Sequence, residues 1–393
     1  MSNFKADNSK MIPLKDATYR KNQFVATIKG NSIKKVVDDN DIETPYEIHF
    51  DTGSWTTSIP GGALDFDHVT VIDSNIHDPW GKLADKVSGQ LILESNDGET
   101  QYVIDDYIFF ATKQDENTYL PDDRGLQWGN TSIMGGFPSP QPWDKLPSLP
   151  YAIAQKYQPD NLGLGFYSDH GNEIASDNSI PLSKTYLIVG NKIETSAPIN
   201  WRNDIPNWHQ GVLDFCPEAT PGFKIIIHFL PDYGEKIETA DGLMATIDTG
   251  APDLTIRLGE NDPHLNPRFS PHFDSKGPWP IWSGNPAMDI GRALTNAIVT
   301  VEFTDSEGTK CSYNFVVGEN PLGSPNTLYA SHWEGIVPWA VGDATPKNRI
   351  NLGNTIYSWC PVMMYDIKNK RVGIGFQDTI SVGDYAFSAA RES

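Results

Sequence analysis

The sequence predicts a mostly β chain of two similar lobes, and three observations carry that prediction. Apolar runs are short and stop at turn residues, with 33 glycines and 29 prolines spread over 393 positions. Helical periodicity is scarce, as in chains built from short strands. One strand-and-turn stretch also occurs twice, as Ile48-His49-Phe50-Asp51-Thr52-Gly53-Ser54 and as Thr246-Ile247-Asp248-Thr249-Gly250-Ala251. Asp51 and Asp248 stand at corresponding places in the two halves, so the expected lobes are residues 1–195 and 196–393, with the boundary between Gly190 and Trp208.

Taken in order, Phe24-Val25-Ala26-Thr27-Ile28 is a strand of aromatic and β-branched residues. Residues 31–43 form a polar connection, and Tyr46-Glu47-Ile48-His49-Phe50 is the strand that delivers Asp51. Gly61-Gly62 and the Asp and His residues after them predict a loop. Residues 87–93 and 102–104, separated by Asn96-Asp97-Gly98, predict a hairpin, with 107–111 as a further strand. Residues 115–130 are acidic and loop-like. Residues 149–158 are the helix candidate of this half, with Pro150 near the start. Residues 162–167 and 186–190 return to β character. The second half repeats the order: 224–230 is a strand, 244–247 delivers Asp248, 254–256 continues beyond the turn, and 263–284 is a long Pro- and Trp-rich loop. Strands at 297–303 and 312–317 flank Asp305-Ser306-Glu307-Gly308, and 357–366 and 371–376 form a closing hairpin about Ile367-Lys368-Asn369-Lys370.

The net charge of −21, from 51 acidic and 30 basic residues, argues against nucleic acid and anionic membranes as partners. No apolar stretch approaches the ~20 residues of a membrane helix. The first residues are polar and lack the apolar core of a secretion signal. Cys216, Cys311 and Cys360 are too few and too scattered for a disulfide framework, with at most one bridge, and no C-x-x-C or His pairing suggests a metal site. A reducing compartment follows, cytoplasmic rather than secreted, with neither metal nor cofactor.

The chemistry lies in the repeated turn. Glycine lets the backbone bend just after the aspartate, and the neighbouring hydroxyl and amide groups supply donors for its carboxylate. Two such carboxylates facing each other cannot both ionise cheaply, which makes one a general acid and the other a general base. The plainer alternative is two ordinary strand exits. His49 reads as a strand side chain. Ser54, Ser58 and Ser88 lack the Gly-x-Ser-x-Gly setting of a serine hydrolase. Trp128, Trp143, Trp279 and Trp282 are either cleft-lining residues or loop anchors.

The paired Asp-Thr-Gly turns resemble those of the pepsin-like aspartic protease family. Ile133-Met134-Gly135, followed by Phe137-Pro138-Ser139, is similar to the segment that crosses the first turn in that family, with Leu162-Gly163-Leu164-Gly165 as a rival that reads better as the next strand. Asn351-Leu352-Gly353 is similar to the second crossing segment, with Asn351 at an apolar position. The closing hairpin also fits. The resemblance implies a two-lobed fold with its active-site cleft between the lobes. Asp51 and Asp248 would hold the attacking water, Thr52 and Thr249 would bond across the lobes, and Gly53 and Gly250 would complete the turns. Ser54 would support Asp51. The implied reaction is peptide hydrolysis by general acid and base, without a covalent intermediate, metal or cofactor, and with a dyad that titrates as a unit. It further implies an extended peptide or protein substrate with bulky apolar residues at the cut, sensitivity to pepstatin-like inhibitors, and a monomer.

Three positions depart from the family. Ser58 stands where a Trp is usual, while Trp55 comes earlier. Trp80-Gly81 is the nearest equivalent of the Tyr-Gly pair in the covering flap, and Trp80 either covers substrate or fills loop core. Ala251 replaces a hydroxyl residue. Met11-Ile12-Pro13-Leu14 is similar to the start of a mature enzyme, so a cysteine-poor member without a prosegment is expected, like the pepsin homologues of bacteria. Two functions from different classes remain: an aspartic endopeptidase, or a catalytically weak or inactive peptide-binding or inhibitory protein on the same fold. A self-processing protease with one narrow substrate is a third. Retention of both Asp-Thr-Gly turns speaks for the first, and Ala251 with the atypical flap for the second.

Overall fold

The computed structural model describes residues 6–16, 24–37, 41–54, 56–124, 132–136, 147–168, 185–195, 198–203, 220–229, 236–238, 241–250, 255–258, 297–317, 329–330, 337–340, 349–352 and 360–375. The first strands are β1 (Ile12–Asp16), β2 (Phe24–Ile28), β3 (Tyr46–Asp51), β4 (Thr57–Pro60), β5 (Val69–His77), β6 (Leu83–Glu94) and β7 (Gln101–Asp115). There follow β8 (Thr118–Tyr119), β9 (Ile133–Gly135), the helix α1 (Leu149–Tyr157), β10 (Leu164–Ser168), β11 (Thr185–Val189) and β12 (Asn200–Arg202). Later come β13 (Thr220–Phe229), β14 (Lys236–Glu238), β15 (Leu243–Thr246), β16 (Thr255–Leu258), β17 (Ala297–Thr304) and β18 (Lys310–Val317). The last are β19 (Tyr329–Ala330), β20 (Val337–Ala340), β21 (Arg349–Asn351), β22 (Val362–Asp366) and β23 (Arg371–Gly375). The predicted mostly β class is what the structure has.

The strands make two sheets. One runs β12-β23-β22-β10-β11-β1-β2-β3-β9-β4-β7-β6-β5, with β8 beside β7, and the other runs β19-β18-β17-β13-β15-β21-β16-β20, with β14 beside β13. Inside each lies the same five-strand unit. β2-β3-β9-β4-β7 are joined antiparallel, parallel, antiparallel and parallel. β13-β15-β21-β16-β20 repeat both the order and the senses. In each unit the strand that carries the aspartate, β3 or β15, lies directly beside the crossing strand, β9 or β21.

The core of the first unit follows from its sequence. Phe24, Ile48 and Phe50 are buried on β2 and β3, and the Phe24 ring meets Phe166 of β10 edge-on with centroids 5.1 Å apart. Each such side chain contributes about 1.5–3 kcal/mol by leaving water. Helix α1 begins where Ser148 caps it by accepting the Tyr151 amide, and it buries Leu149, Ile153 and Ala154. The closing hairpin is β22–β23, and β22 pairs with β10, so the end of the chain adds to the sheet that carries Asp51. Buried Asp366 fixes its turn by accepting from Asn191, Asn369 and Arg371, and Arg371 lies over the Trp201 ring at 4.0 Å.

Two stretches differ from expectation. The region after Gly61-Gly62 is a short 3-10 turn (Gly61–Ala63) and then β5, a nine-residue edge strand that exposes Val71 and Ile72 and so shows no alternation of buried and exposed residues. Residues 102–104 and 107–111 belong to one strand, β7, carried through a bulge opposite Gly89 and Leu91. Cys311 and Cys360 are free thiols, and burial pushes Cys311 up to about 12. Cys216, the loop at 263–284 and the four tryptophans named above lie outside the described residues. Among the described residues no helix is long and apolar enough to cross a membrane.

Candidate functional site

Asp51 ends β3, and the backbone turns immediately after it. The Gly53 amide donates to Asp51 Oδ1 at 2.8 Å and the Ser54 hydroxyl donates to Oδ2, so each carboxylate oxygen has a donor from its own turn. β9 holds the turn from the side. Asp51 pairs with Gly135, the Gly136 amide donates to the Asp51 carbonyl at 2.7 Å, and the Gly135 amide donates to the Thr56 carbonyl at 2.8 Å. A side chain at Gly136 would crowd the turn, because a Cβ there would stand 3.0 Å from the Thr52 Cα.

The second turn is built alike. β15 leads into Asp248, whose Oδ1 accepts the Gly250 amide at 2.9 Å. β21 lies parallel to β15 and antiparallel to β16, as β9 lies to β3 and β4. Leu352, just past β21, is fully buried.

Four buried hydrogen bonds join the two turns. The Thr52 amide donates to Thr249 Oγ1 at 2.8 Å, and the Thr249 amide donates to Thr52 Oγ1 at 2.9 Å. Each hydroxyl passes its own proton on, Thr52 to the Ile247 carbonyl and Thr249 to the Phe50 carbonyl, both at 2.8 Å. Every donor and acceptor in this reciprocal set is used, which makes it a rigid joint. The glycines then bring the carboxylates in. A Cβ on Gly53 would stand 2.5 Å from Asp248 Cγ, and one on Gly250 would stand 2.5 Å from Asp51 Cγ. Each carboxylate thus packs on the bare backbone of the opposite turn, where any side chain would displace it.

The predicted residues therefore converge. Asp51, Thr52, Gly53, Ser54, Asp248, Thr249 and Gly250 form one cluster, with Ile133, Met134 and Gly135 behind the first turn and Leu352 behind the second. Gly353, Ala251, Trp55 and residues 137–139 lie outside the described residues. Leu164 and Gly165 belong to β10, not to a crossing segment. Trp80 and Gly81 sit in the turn between β5 and β6, with Gly81 at φ 78° and Trp80 half-buried.

Sequence reasoning missed the polar groups that hold this hairpin. Asp78, 4% exposed, accepts the Trp80 amide at 3.0 Å, the Lys82 amide at 2.8 Å and the Ser58 hydroxyl at 3.2 Å. An Asp two residues before Trp-Gly was the available signal for the turn, whereas nothing local marked Ser58 as its partner. Further down, buried Asp85 accepts from the Asn75 amide, Lys113 and the Tyr119 hydroxyl. Burial would raise this carboxylate, but those three donors hold it below the usual range.

A scan against protein-family models gives no match, and neither does a search of curated proteins. Among solved structures, the chain is similar to the crystal structure of basic 7S globulin from soybean, at 11% identity and a TM-score of 0.51, over 97% of this chain and 98% of that one. A likeness at this identity carries the fold alone. It corrects the expectation built on the Asp-Thr-Gly resemblance. The protein whose fold it shares is named as a globulin, not a peptidase. The assignment as an aspartic endopeptidase, and with it the hydrolase and pepstatin-sensitive protease labels, is withdrawn. The physical reason is that Asp, Thr and Gly at these positions specify a joint between two turns. That joint is a structural property, and a fold that keeps it need not keep turnover.

Proposed function

We propose that this chain is a peptide-binding protein of two-lobed, pepsin-like fold, catalytically weak or inactive, in which the Asp51–Asp248 pair serves as an acceptor site for an extended peptide. The observation that carries the reading is the reciprocal Thr52–Thr249 joint, which holds the two turns together and so sets each carboxylate against the glycine of the opposite turn. Such a pair suits the amide donors of a bound main chain and the hydroxyl donors of its side chains, because its geometry is set before binding. Ala251 brings no hydroxyl to the second turn, and the protein whose fold the chain shares is named as a globulin, not a peptidase. The lobes are residues 1–195 and 196–393, and both contribute to the site, so a monomer suffices. Partners are peptides or proteins and pepstatin-like compounds, not nucleic acid or membrane, in a reducing compartment, with no cofactor.

The test is calorimetry and thermal shift with a pepstatin-type peptide, beside a quenched-fluorescent peptide library held at acidic to neutral pH. Binding with a raised melting temperature and no cleavage is the expected result. Absence of binding overturns the proposal, as does cleavage that disappears in Asp51→Ala.

A further inference from the structure

In a chain with 51 acidic and 30 basic residues, one cavity gathers the opposite charge. Its volume is about 540 Å³, a size that suits a ligand, and its wall carries Lys29, Lys34, Lys35 and Arg124 against a single acid, Glu43. The buried side chains of Ile28, Ile33 and Tyr46 form its apolar part. Ile28 and Tyr46 pair where β2 and β3 meet their connecting loop, whereas Asp51 closes the other end of β3, about 17 Å away at ~3.3 Å per residue. The cavity is therefore separate from the Asp51–Asp248 site.

Two of the cations are already paired, Lys29 with Glu94 and Arg124 with Asp122. Arg124 nonetheless keeps binding capacity. Its side chain is only 7% exposed, and of the five N–H donors of a guanidinium, Asp122 and the Thr44 carbonyl take three, which leaves two. The guanidinium lies over the Tyr46 ring at 5.5 Å, and the Tyr46 hydroxyl is itself fixed by Asp123 at 2.8 Å. Lys34 gives its ammonium only to the Gly62 carbonyl, and Lys35 makes no hydrogen bond or ion pair among the described residues. Glu43 offsets one of these two charges and leaves a positive excess. Beside this mouth the loop exposes Val36 at 39%, Val37 at 56% and Ile42 at 63%, three of the five large apolar side chains that the described residues expose. The Thr44 amide donates to the Val36 carbonyl at 2.7 Å and Val37 bridges to Glu43, which sets these side chains at the rim.

We propose that this pocket and its loop are a second binding site, for an acidic peptide segment of a partner protein that carries apolar residues between its carboxylates. Lys34, Lys35 and the spare Arg124 donors select the carboxylates. The exposed apolar side chains extend beyond the cavity, where a small free acid would leave them bare, whereas a chain of alternating acidic and apolar residues covers both. The site shares no residue with the peptide-binding reading above and does not rest on it.

The experiment is fluorescence anisotropy of a labelled octapeptide of alternating Glu and Leu on the full chain, beside a Gln-Leu peptide of the same length. Wild type should bind the Glu-Leu peptide about tenfold more tightly or better. Lys34 and Lys35 are exposed, so Lys34→Gln and Lys35→Gln keep the fold, and each should weaken binding about two- to fivefold. Val37→Ser should weaken it about threefold, and Glu43→Gln should tighten it about twofold. Lys310→Gln, on β18 of the other sheet, should change nothing. A saturating pepstatin-type peptide should leave the affinity unchanged, which separates the two sites. Absence of binding, equal binding of the Gln-Leu peptide, wild-type affinity in the Lys34→Gln, Lys35→Gln double variant, or displacement by the pepstatin-type peptide overturns the second site. N-acetylglutamate that binds as tightly as the octapeptide makes the occupant a free acid and overturns the peptide partner.

Discussion

The Asp51 and Asp248 turns share a backbone and differ in what surrounds it. Both end a strand flanked by a parallel crossing segment, both give a Thr to the joint, and both hold an aspartate Oδ1 with the amide two residues on. Around Asp51, however, the Ser54 hydroxyl reaches the second carboxylate oxygen, where the other turn has Ala251. The hairpin that follows is also tied down by Asp78 and Asp85. The difference teaches that backbone pairing and the Thr and Gly positions set the frame, while side chains outside the repeat set the electrostatics and the cover. A sequence can keep the first and change the second.

The most disruptive way to test the shared frame is to remove one hydroxyl from the joint. Thr52→Val keeps the volume but strands the Thr249 amide and the Ile247 carbonyl, at about 1–3 kcal/mol for each buried group and about 2–6 kcal/mol together. Thr249→Val should cost as much by stranding the Thr52 amide and the Phe50 carbonyl, and urea unfolding reads both. Losses that differ by more than about 1 kcal/mol would break the symmetry argued here. Next come Gly53→Ala and Gly250→Ala, each of which drives a methyl group into the opposite carboxylate and costs about 1–3 kcal/mol. Wild-type stability in either variant would show that the carboxylates are free to move apart.

Much of this frame was legible in the sequence because it is written locally. Asp-Thr-Gly repeated at matching places, Ile133-Met134-Gly135 and the closing hairpin are short motifs whose residue types answer a backbone need. The links that distinguish the first turn were not legible. Ser58 meets Asp78 across 20 residues and Tyr119 meets Asp85 across 34, and such contacts depend on how the hairpin curls and carry no periodicity. β5 escaped notice because a strand exposed at a sheet edge has no buried face to mark. The mistaken inference from motif to proteolysis has a related cause: the residues encode a geometry, and turnover depends on groups around it that the motif does not include.

A smaller effect is expected where the two turns differ by one donor. Ser54→Ala should lower stability by about 1–2 kcal/mol, less than a fully buried charged hydrogen bond because Asp51 is only half-buried. The converse change, Ala251→Ser, should make the turns more alike and tighten binding of a pepstatin-type peptide less than about tenfold. If Ser54→Ala is neutral, the asymmetry lies elsewhere.

The smallest effect separates the hairpins that follow the two turns. In β5–β6, Asp85 is held below the ordinary carboxylate range against its own burial by the Tyr119 hydroxyl, the Asn75 amide and Lys113. In β17–β18, Lys310 meets Glu302 at 2.8 Å with its side chain 58% exposed, where an ion pair contributes little. A carboxylate whose pKa is depressed on folding adds stability above its unfolded value, and that stability is lost as pH falls through the folded one. Wild-type protein should therefore keep the Asp85 contribution at neutral pH and lose it only below about pH 4. Tyr119→Phe removes one of the three donors and brings the folded value closer to the unfolded one, so the acid fall in its urea midpoint should be smaller than in the wild type and complete at a higher pH. Lys310→Ala should leave the shape of the pH curve unchanged. Matching acid limbs in Tyr119→Phe and wild type would mean that Asn75 and Lys113 hold Asp85 unaided, and the contrast between the hairpins would then rest on the Asp78 tether alone.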